Sequence, residues 1–190
     1  VDFDPGAGVS NLTSVLSLDQ FILKLDQNGD FIWAKQIAAN SSDAGSSIKI
    51  DNLGNILLTG SFNGTVDFDP GVGTSNITVG ATSCFILKLD NNGDYIWAKH
   101  VTGTNPVKGY SIALDNSGNP SLTGYFQGTA DFDPGAGVVN HTSNGFRDIF
   151  VLKLDNTGNY LWSGSFGGAS GQDNGWCIAT DQNGNNFITG

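Results

Sequence analysis

The sequence predicts an all-β fold made of three tandem units of about 64 residues, each a four-stranded antiparallel sheet. Three observations lead to this fold class: an internal repeat, an alternation of apolar side chains within it, and a composition that favours turns. All 18 acidic residues are Asp, Glu and Met are absent, and the chain holds 27 Gly. Glu and Met favour helices, whereas Asp and Gly favour turns, so an all-helical protein is disfavoured.

The internal repeat is carried by two motifs and a tryptophan, which recur 64 or 65 residues apart. Asp-Phe-Asp-Pro-Gly begins at Asp2, Asp67 and Asp131. Phe-(Ile/Val)-Leu-Lys-Leu-Asp begins at Phe21, Phe85 and Phe150, and the tryptophan is Trp33, Trp97 or Trp162. Repeats of this size cannot bury their apolar faces alone, so their stability has to come from stacking on one another.

Each unit is predicted to contain two β-hairpins. Alternating residues give strands 21–25 and 31–35 in the first hairpin, and strands 46–50 and 56–62 in the second. The segments Asp-Gln-Asn-Gly-Asp and Asp-Asn-Leu-Gly-Asn between them are turns, because Gly adopts the positive φ that a hairpin requires. Most strands carry apolar residues on both faces, which suits sheets that neighbouring copies cover on both sides, like the blades of a propeller.

Taking residues 45–51 as an innermost strand divides the chain into two whole blades and two half-blades. The predicted units are an N-terminal half-blade with its Asp-Phe-Asp-Pro-Gly loop (1–44), two blade repeats (45–108 and 109–174) and a C-terminal half-blade (175–190). The two halves are complementary. Three units are fewer than the four blades of the smallest closed propellers, which predicts an open array or part of a larger propeller. The missing initiator predicts that the chain was processed or cut from something longer.

Four motifs together resemble a known family. They are Ser-Ile-x-x-Asp-x-x-Gly-Asn at 111–119, Thr-Gly-x-Phe at 123–126, Gly-Thr-x-Asp-Phe-Asp-Pro-Gly at 128–135, and the strand motif that leads to the tryptophan at 150–162. The sequence is similar, over all 190 residues, to the SBBP-type β-propeller repeats of large secreted bacterial surface proteins. The resemblance implies a propeller-like β fold and an extracellular or cell-surface setting. It implies no activity, because the family has no general catalytic residues.

The Asp-Phe-Asp-Pro-Gly segments are candidate metal sites. Each lies in a connection of roughly 20 residues, a length that usually carries structure or function. Two Asp residues spaced two apart place both carboxylates on one side of an extended stretch, which with glycine carbonyls would suit Ca²⁺. The alternative is a rigid turn that Val66 and Phe68 anchor as a fifth strand. No other cofactor is expected. The candidate ligands are Asp2, Asp4, Asp67, Asp69, Asp131 and Asp133.

Five Asn-x-Ser/Thr sequons make the chain a candidate glycoprotein. Three of them occupy one register beside the Asp-Phe-Asp-Pro-Gly loop, which predicts a glycan-bearing loop, although inheritance by duplication explains the register equally well. The sequon asparagines are Asn11, Asn40, Asn63, Asn76 and Asn140.

Several classes of function are disfavoured. A net charge of -10 with eight Lys and Arg argues against a nucleic-acid partner, and no apolar run approaches the roughly 20 residues of a membrane span. His100 and His141 are not in equivalent positions, and neither cysteine has a nucleophile context, so the chain is not expected to be an enzyme. The fixed place of the tryptophans in the repeat favours packing over sugar binding.

The sequence therefore predicts a non-enzymatic extracellular structural repeat protein. Its partners would be other copies of itself, which build a fibre or surface array by head-to-tail stacking and strand complementation of the half-blades. The alternative is a fragment of a closed cell-surface β-propeller that binds glycan or protein ligands.

Overall fold

The computed structural model describes residues 1–13, 20–37 and 44–190, and it confirms the all-β fold class. None of these residues belongs to a helix that could cross a membrane. Fourteen strands are described. They are β1 Gln20–Leu25, β2 Phe31–Ile37, β3 Ala44–Ile50, β4 Ile56–Asp67, β5 Asn76–Leu89, β6 Tyr95–Gly103, β7 Val107–Leu114, β8 Pro120–Phe126, β9 Thr129–Asp131, β10 Asn140–Thr142, β11 Asp148–Leu154, β12 Tyr160–Phe166, β13 Cys177–Thr180 and β14 Asn186–Thr189.

The strands form two blades flanked by two hairpins. The first blade is β3-β4-β5-β6 and the second is β7-β8-β11-β12, both antiparallel. The N-terminal hairpin is β1-β2 and the C-terminal hairpin is β13-β14. The blades share one register, since Gly60 pairs with Phe85 in the first and Gly124 with Phe150 in the second. The repeated sequence is thus a repeated strand pairing.

One sheet contains more strands than the four that the sequence predicts. The short hairpin β9-β10 of the second unit adds to the outer edge of the first blade, where Thr102 and Gly103 of β6 pair with Asp131 and Ala130 of β9. The outer edge of a sheet presents unpaired N–H and C=O groups, and β9 satisfies some of those of β6. A blade edge is therefore covered by the loop of the following unit.

The apolar core lies between successive sheets. Ile22 and Ile37 of the N-terminal hairpin pack with one face of the first blade. The other face of that blade packs against the second blade, with Ile86 and Leu122 among the buried residues. A smaller cluster that includes Ile178 joins the second blade to the C-terminal hairpin. Each blade therefore packs against a neighbouring sheet on both faces, as its apolar residues predict, although Ile48 of β3 and Phe166 of β12 stay about half exposed.

Two of the three repeated tryptophans serve this packing, whereas Trp162 of β12 is 41% exposed. Trp33 and Trp97 lie against the two larger clusters, and their indole Nε1 atoms are buried without a hydrogen-bond partner among the described residues. Gly93, in the hairpin turn of the first blade, has a φ of 80°, and a Cβ added there would lie 3.1 Å from Cη2 of Trp33. The turn glycine thus meets two requirements, a positive φ and a close approach to the ring.

Candidate functional site

The three Asp-Phe-Asp-Pro-Gly loops have the same local structure. In the first blade Asp67 Oδ1 accepts hydrogen bonds from the N–H groups of Asp69 (3.1 Å) and Ser75 (2.7 Å), and Asp69 Oδ1 accepts one from Gly71 (2.8 Å). Asp131 and Asp133 repeat these bonds, as do Asp2 and Asp4. Each pair of carboxylates therefore closes its own loop by capping backbone donors.

A glycine two residues after the Pro-Gly completes each loop. A Cβ added at Gly73 would collide with Oδ2 of Asp69, and Gly137 stands in the same relation to Asp133. The backbone therefore packs directly against the second carboxylate, so a side chain at this position would displace that carboxylate from its hydrogen bond to the glycine of the Pro-Gly.

The phenylalanine of the motif anchors the loop to the core. Phe68 is fully buried, with its ring centroid 5.1 Å from that of Phe62 and 5.2 Å from that of Phe85. Phe132 makes the equivalent contacts in the second blade. The segments after Gly64 and before Val79 pair as an extension of β4 and β5. These are the interactions that the rigid-turn alternative requires.

Calcium binding to these loops stays a prediction. Within the described ranges, no group of three or more His, Cys, Asp or Glu residues is placed to hold a metal ion. Two carboxylates per loop would need several further oxygen ligands, because Ca²⁺ takes six to eight.

Four of the five sequon asparagines are exposed. Asn11, Asn76 and Asn140 lie directly opposite the first Asp of their loops, and Asn63 lies in β4. Asn40 lies outside the described residues. Their exposure is compatible with glycans, and glycosylation also stays a prediction.

The cysteines and histidines are dispersed. Both cysteines are free, and burial raises the pKa of Cys84 to about 12, which makes its thiol a poor nucleophile. Cys177 is exposed. His141 Nε2 lies 2.8 Å from Ser163 Oγ, and the His100 ring packs near Phe62.

An ion pair that the sequence analysis missed recurs in both blades. Lys88 Nζ lies 3.2 Å from Asp51 Oδ2, and Lys153 Nζ lies 2.7 Å from Asp115 Oδ2, with all four side chains largely buried. Burial opposes ionisation of Asp115, but hydrogen bonds from Lys153 and Asn119 outweigh it and hold the pKa of this carboxyl below its usual value. The lysine and the aspartate both recur in every unit, and this shared recurrence is the sequence signal from which the ion pair could have been predicted.

Equivalent apolar positions differ sharply in exposure between the blades and the flanking elements. Phe21 of β1 is 58% exposed, whereas its equivalents Phe85 and Phe150 are fully buried. Ile188 of β14 is 38% exposed, whereas its equivalent Leu58 is 5% exposed. The outer strand β12 follows the same pattern: Phe166 is 57% exposed, although the equivalent Val101 of β6 is covered by β9 and buried. These three positions mark open edges of the described structure at β1, β14 and β12.

Stacked antiparallel sheets with a shared register are the architecture of β-propeller-type repeats. Residues 32–66 match the SBBP β-propeller repeat family, which confirms the predicted resemblance over that segment. The chain is also 27% identical, over 183 aligned residues, to an uncharacterized WD repeat-containing protein of Acanthamoeba polyphaga mimivirus. That alignment covers 84% of this chain and 13% of the relative, so the chain spans a small part of the relative's length.

Proposed function

We propose that this chain is a non-enzymatic extracellular structural protein whose copies join head to tail into a fibre or surface array. The observation that carries the proposal is the complementarity of the open edges. The N-terminal hairpin has the form of the outer two strands of a blade, and the C-terminal hairpin has that of the inner two. Together they would make the four strands that the chain's own blades contain.

The strand pairing within the two blades predicts the register in which β14 of one copy would pair with β1 of the next. Gly60 pairs with Phe85 and Gly124 with Phe150, so Gly190 of one copy would pair with Phe21 of the next. This pairing would bring β14 beside β1 and cover the exposed side chains of Phe21 and Ile188.

The loop of the N-terminal hairpin provides a second contact. In the first blade, Ala130 and Asp131 of the following unit pair with the end of β6, and Ala130 belongs to the cluster in which Val101 is buried. By the same register Val1 and Asp2 of the next copy would lie along the end of β12 and cover Phe166. Burying apolar side chains of this size stabilises an interface by roughly 1.5–3 kcal/mol each.

Such a joint uses two different surfaces, so it is heterologous and gives a helical filament when its rotation does not close into a ring. The extracellular setting is proposed from the family resemblance, and the exposed sequon asparagines support it. Candidate glycans on Asn11, Asn76 and Asn140 would stand beside the loops rather than between sheets.

Negative-stain electron microscopy of the purified chain tests the proposal. Filaments whose repeat corresponds to three units are expected, and isolated closed rings would contradict it. Phe21→Asp should abolish the filaments by placing a charge in the joint. Val72→Asp, at the exposed tip of a loop, adds the same charge away from every open edge and should leave them intact.

The alternative is that these units belong to a closed cell-surface propeller with a scaffold or binding role. The much greater length of the WD repeat-containing relative favours this possibility. A native protein with further repeats and a single discrete mass would support it over the fibre.

A further inference from the structure

We propose that the joint between copies is specified by an ion pair between Asp181 of one copy and Lys24 of the next. This inference rests on the proposed head-to-tail assembly and names the contact that selects the partner. Lys24 occupies the position of Lys88 and Lys153 in the repeat, and Asp181 that of Asp51 and Asp115.

The two blades provide the template for the pair. In each, the aspartate that ends the innermost strand reaches across to the lysine of the third strand, at 3.2 Å in the first blade and 2.7 Å in the second. The joined hairpins would place β14 between these two residues, as β4 lies between β3 and β5 in the first blade. The proposed joint reproduces that geometry with one residue from each copy.

Lys24 is already held in the orientation that the template requires. Its Nζ donates to the backbone oxygen (2.9 Å) and the side-chain oxygen (2.6 Å) of Asn91 in the adjacent blade. Lys88 makes the corresponding bond to the backbone oxygen of Asn156 at 3.2 Å, in addition to its ion pair. Lys24 therefore has the contact to the next blade, but no carboxylate in the described part of the chain lies within salt-bridge distance of it.

Asp181 is arranged in the same way on the other surface. Its Oδ1 accepts the N–H groups of Asn183 and Asn185, and its Oδ2 accepts Asn185 Nδ2, all at 2.9 Å. Asp51 makes the equivalent bonds to Leu53 and Asn55, and its Oδ2 also accepts Lys88. The Asp181 carboxylate is thus fixed by its turn and lacks only the lysine.

The pair would impose a direction on assembly. A joint between unlike ends brings an ammonium and a carboxylate together inside a stacked sheet, whereas a joint between like ends brings two equal charges together. Charge complementarity of this kind suppresses wrong pairings more than it adds affinity.

Charge reversal provides the test. Lys24→Asp puts two carboxylates at every joint, and Asp181→Lys puts two ammonium groups there. Each variant alone should raise the protein concentration needed for assembly at least about tenfold, at about 1.4 kcal/mol per factor of ten. An equimolar mixture should recover wild-type assembly, because every joint then brings opposite charges together and the two variants alternate strictly.

Sedimentation velocity and electron microscopy measure assembly, and cross-linking of differently labelled variants measures alternation. Asp181→Asn keeps an oxygen for the turn and should still weaken assembly. Lys99→Asp changes the net charge equally in β6, a strand that pairs with neither terminal hairpin, and should leave assembly unchanged. Circular dichroism checks that each variant is folded, and a misfolded variant could not be rescued by mixing.

The outcomes separate the two proposals. Rescue in the mixture with alternating cross-links supports the ion pair. Single variants that assemble like the wild type, or folded variants that fail to recover when mixed, would overturn the ion pair while head-to-tail assembly stands. A wild-type chain that stays monomeric at every concentration would overturn both.

Discussion

The anchoring phenylalanine of the Asp-Phe-Asp-Pro-Gly loop permits a comparison of three equivalent substitutions in one chain. Phe68 and Phe132 are fully buried, each against two other phenylalanine rings. Replacing a buried Phe by Ala costs about 3–5 kcal/mol, from lost transfer free energy and the cavity left behind. Phe68→Ala and Phe132→Ala should therefore each lower the free energy of unfolding by that amount.

Phe3→Ala is the matched control. Phe3 is partly exposed and packs on the ring of Phe21 at 4.7 Å, but Phe21 is itself more than half exposed. The loss of one such ring pair costs about 0.5–1.5 kcal/mol. Urea denaturation followed by circular dichroism, at a protein concentration too low for assembly, should resolve this difference. The reasoning is that Phe68 anchors its loop because a complete blade surrounds its ring, which Phe3 lacks. If Phe3→Ala and Phe68→Ala lowered the free energy of unfolding equally, that reasoning would be refuted.

Three further predictions concern the loops and turns. Gly73→Ala should destabilise the chain by about 0.5–1.5 kcal/mol in thermal unfolding, because its Cβ would displace the Asp69 carboxylate from its hydrogen bond to Gly71, whereas Gly80→Ala has open space and should be neutral. Burial opposes ionisation of Asp155, but hydrogen bonds from Asn159 and Thr157 lower its pKa from 3.8 to about 2. Since the unfolded chain then binds the proton more readily, stability should fall as the pH drops from about 4 to 2, and Asp155→Asn should reduce that fall. Calcium binding predicts a melting temperature that rises with added CaCl₂ and responds less in Asp69→Asn; the rigid-turn alternative predicts no rise.

The hairpins of this fold could be predicted from the sequence because their signals are local. The alternation from Phe21 to Leu25, followed by a turn glycine, predicts a strand, a reversal and the next strand, and the observed β1 begins one residue earlier, at Gln20. The same alternation shows which residues face neighbouring sheets, which is why the packing role of Trp33 and Trp97 followed from their register.

Contacts between units could not be predicted in this way. The segment 129–131 pairs with β10 of its own unit, as the equivalent residues 65–67 pair with β5, and it also pairs with β6 of the preceding unit. The first pairing is local, but alternation alone does not show which strand of another unit a segment will join. The Lys88–Asp51 pair was missed for a related reason: the two residues are 37 positions apart, and each has a complete local explanation as part of a strand or a turn.

The pairing of β9 with β6 determines when, during synthesis of the chain, the edge of the first blade becomes covered. When the first blade has left the ribosome, its last strand still has an uncovered side, and the residues that cover it are about 30 positions further along the chain. The first blade is therefore expected to stay open to unwanted strand pairing until residues 129–131 have been translated. The later part of the nascent chain thus covers the earlier part, with a delay of about half a repeat between the synthesis of a strand and that of the segment that covers it.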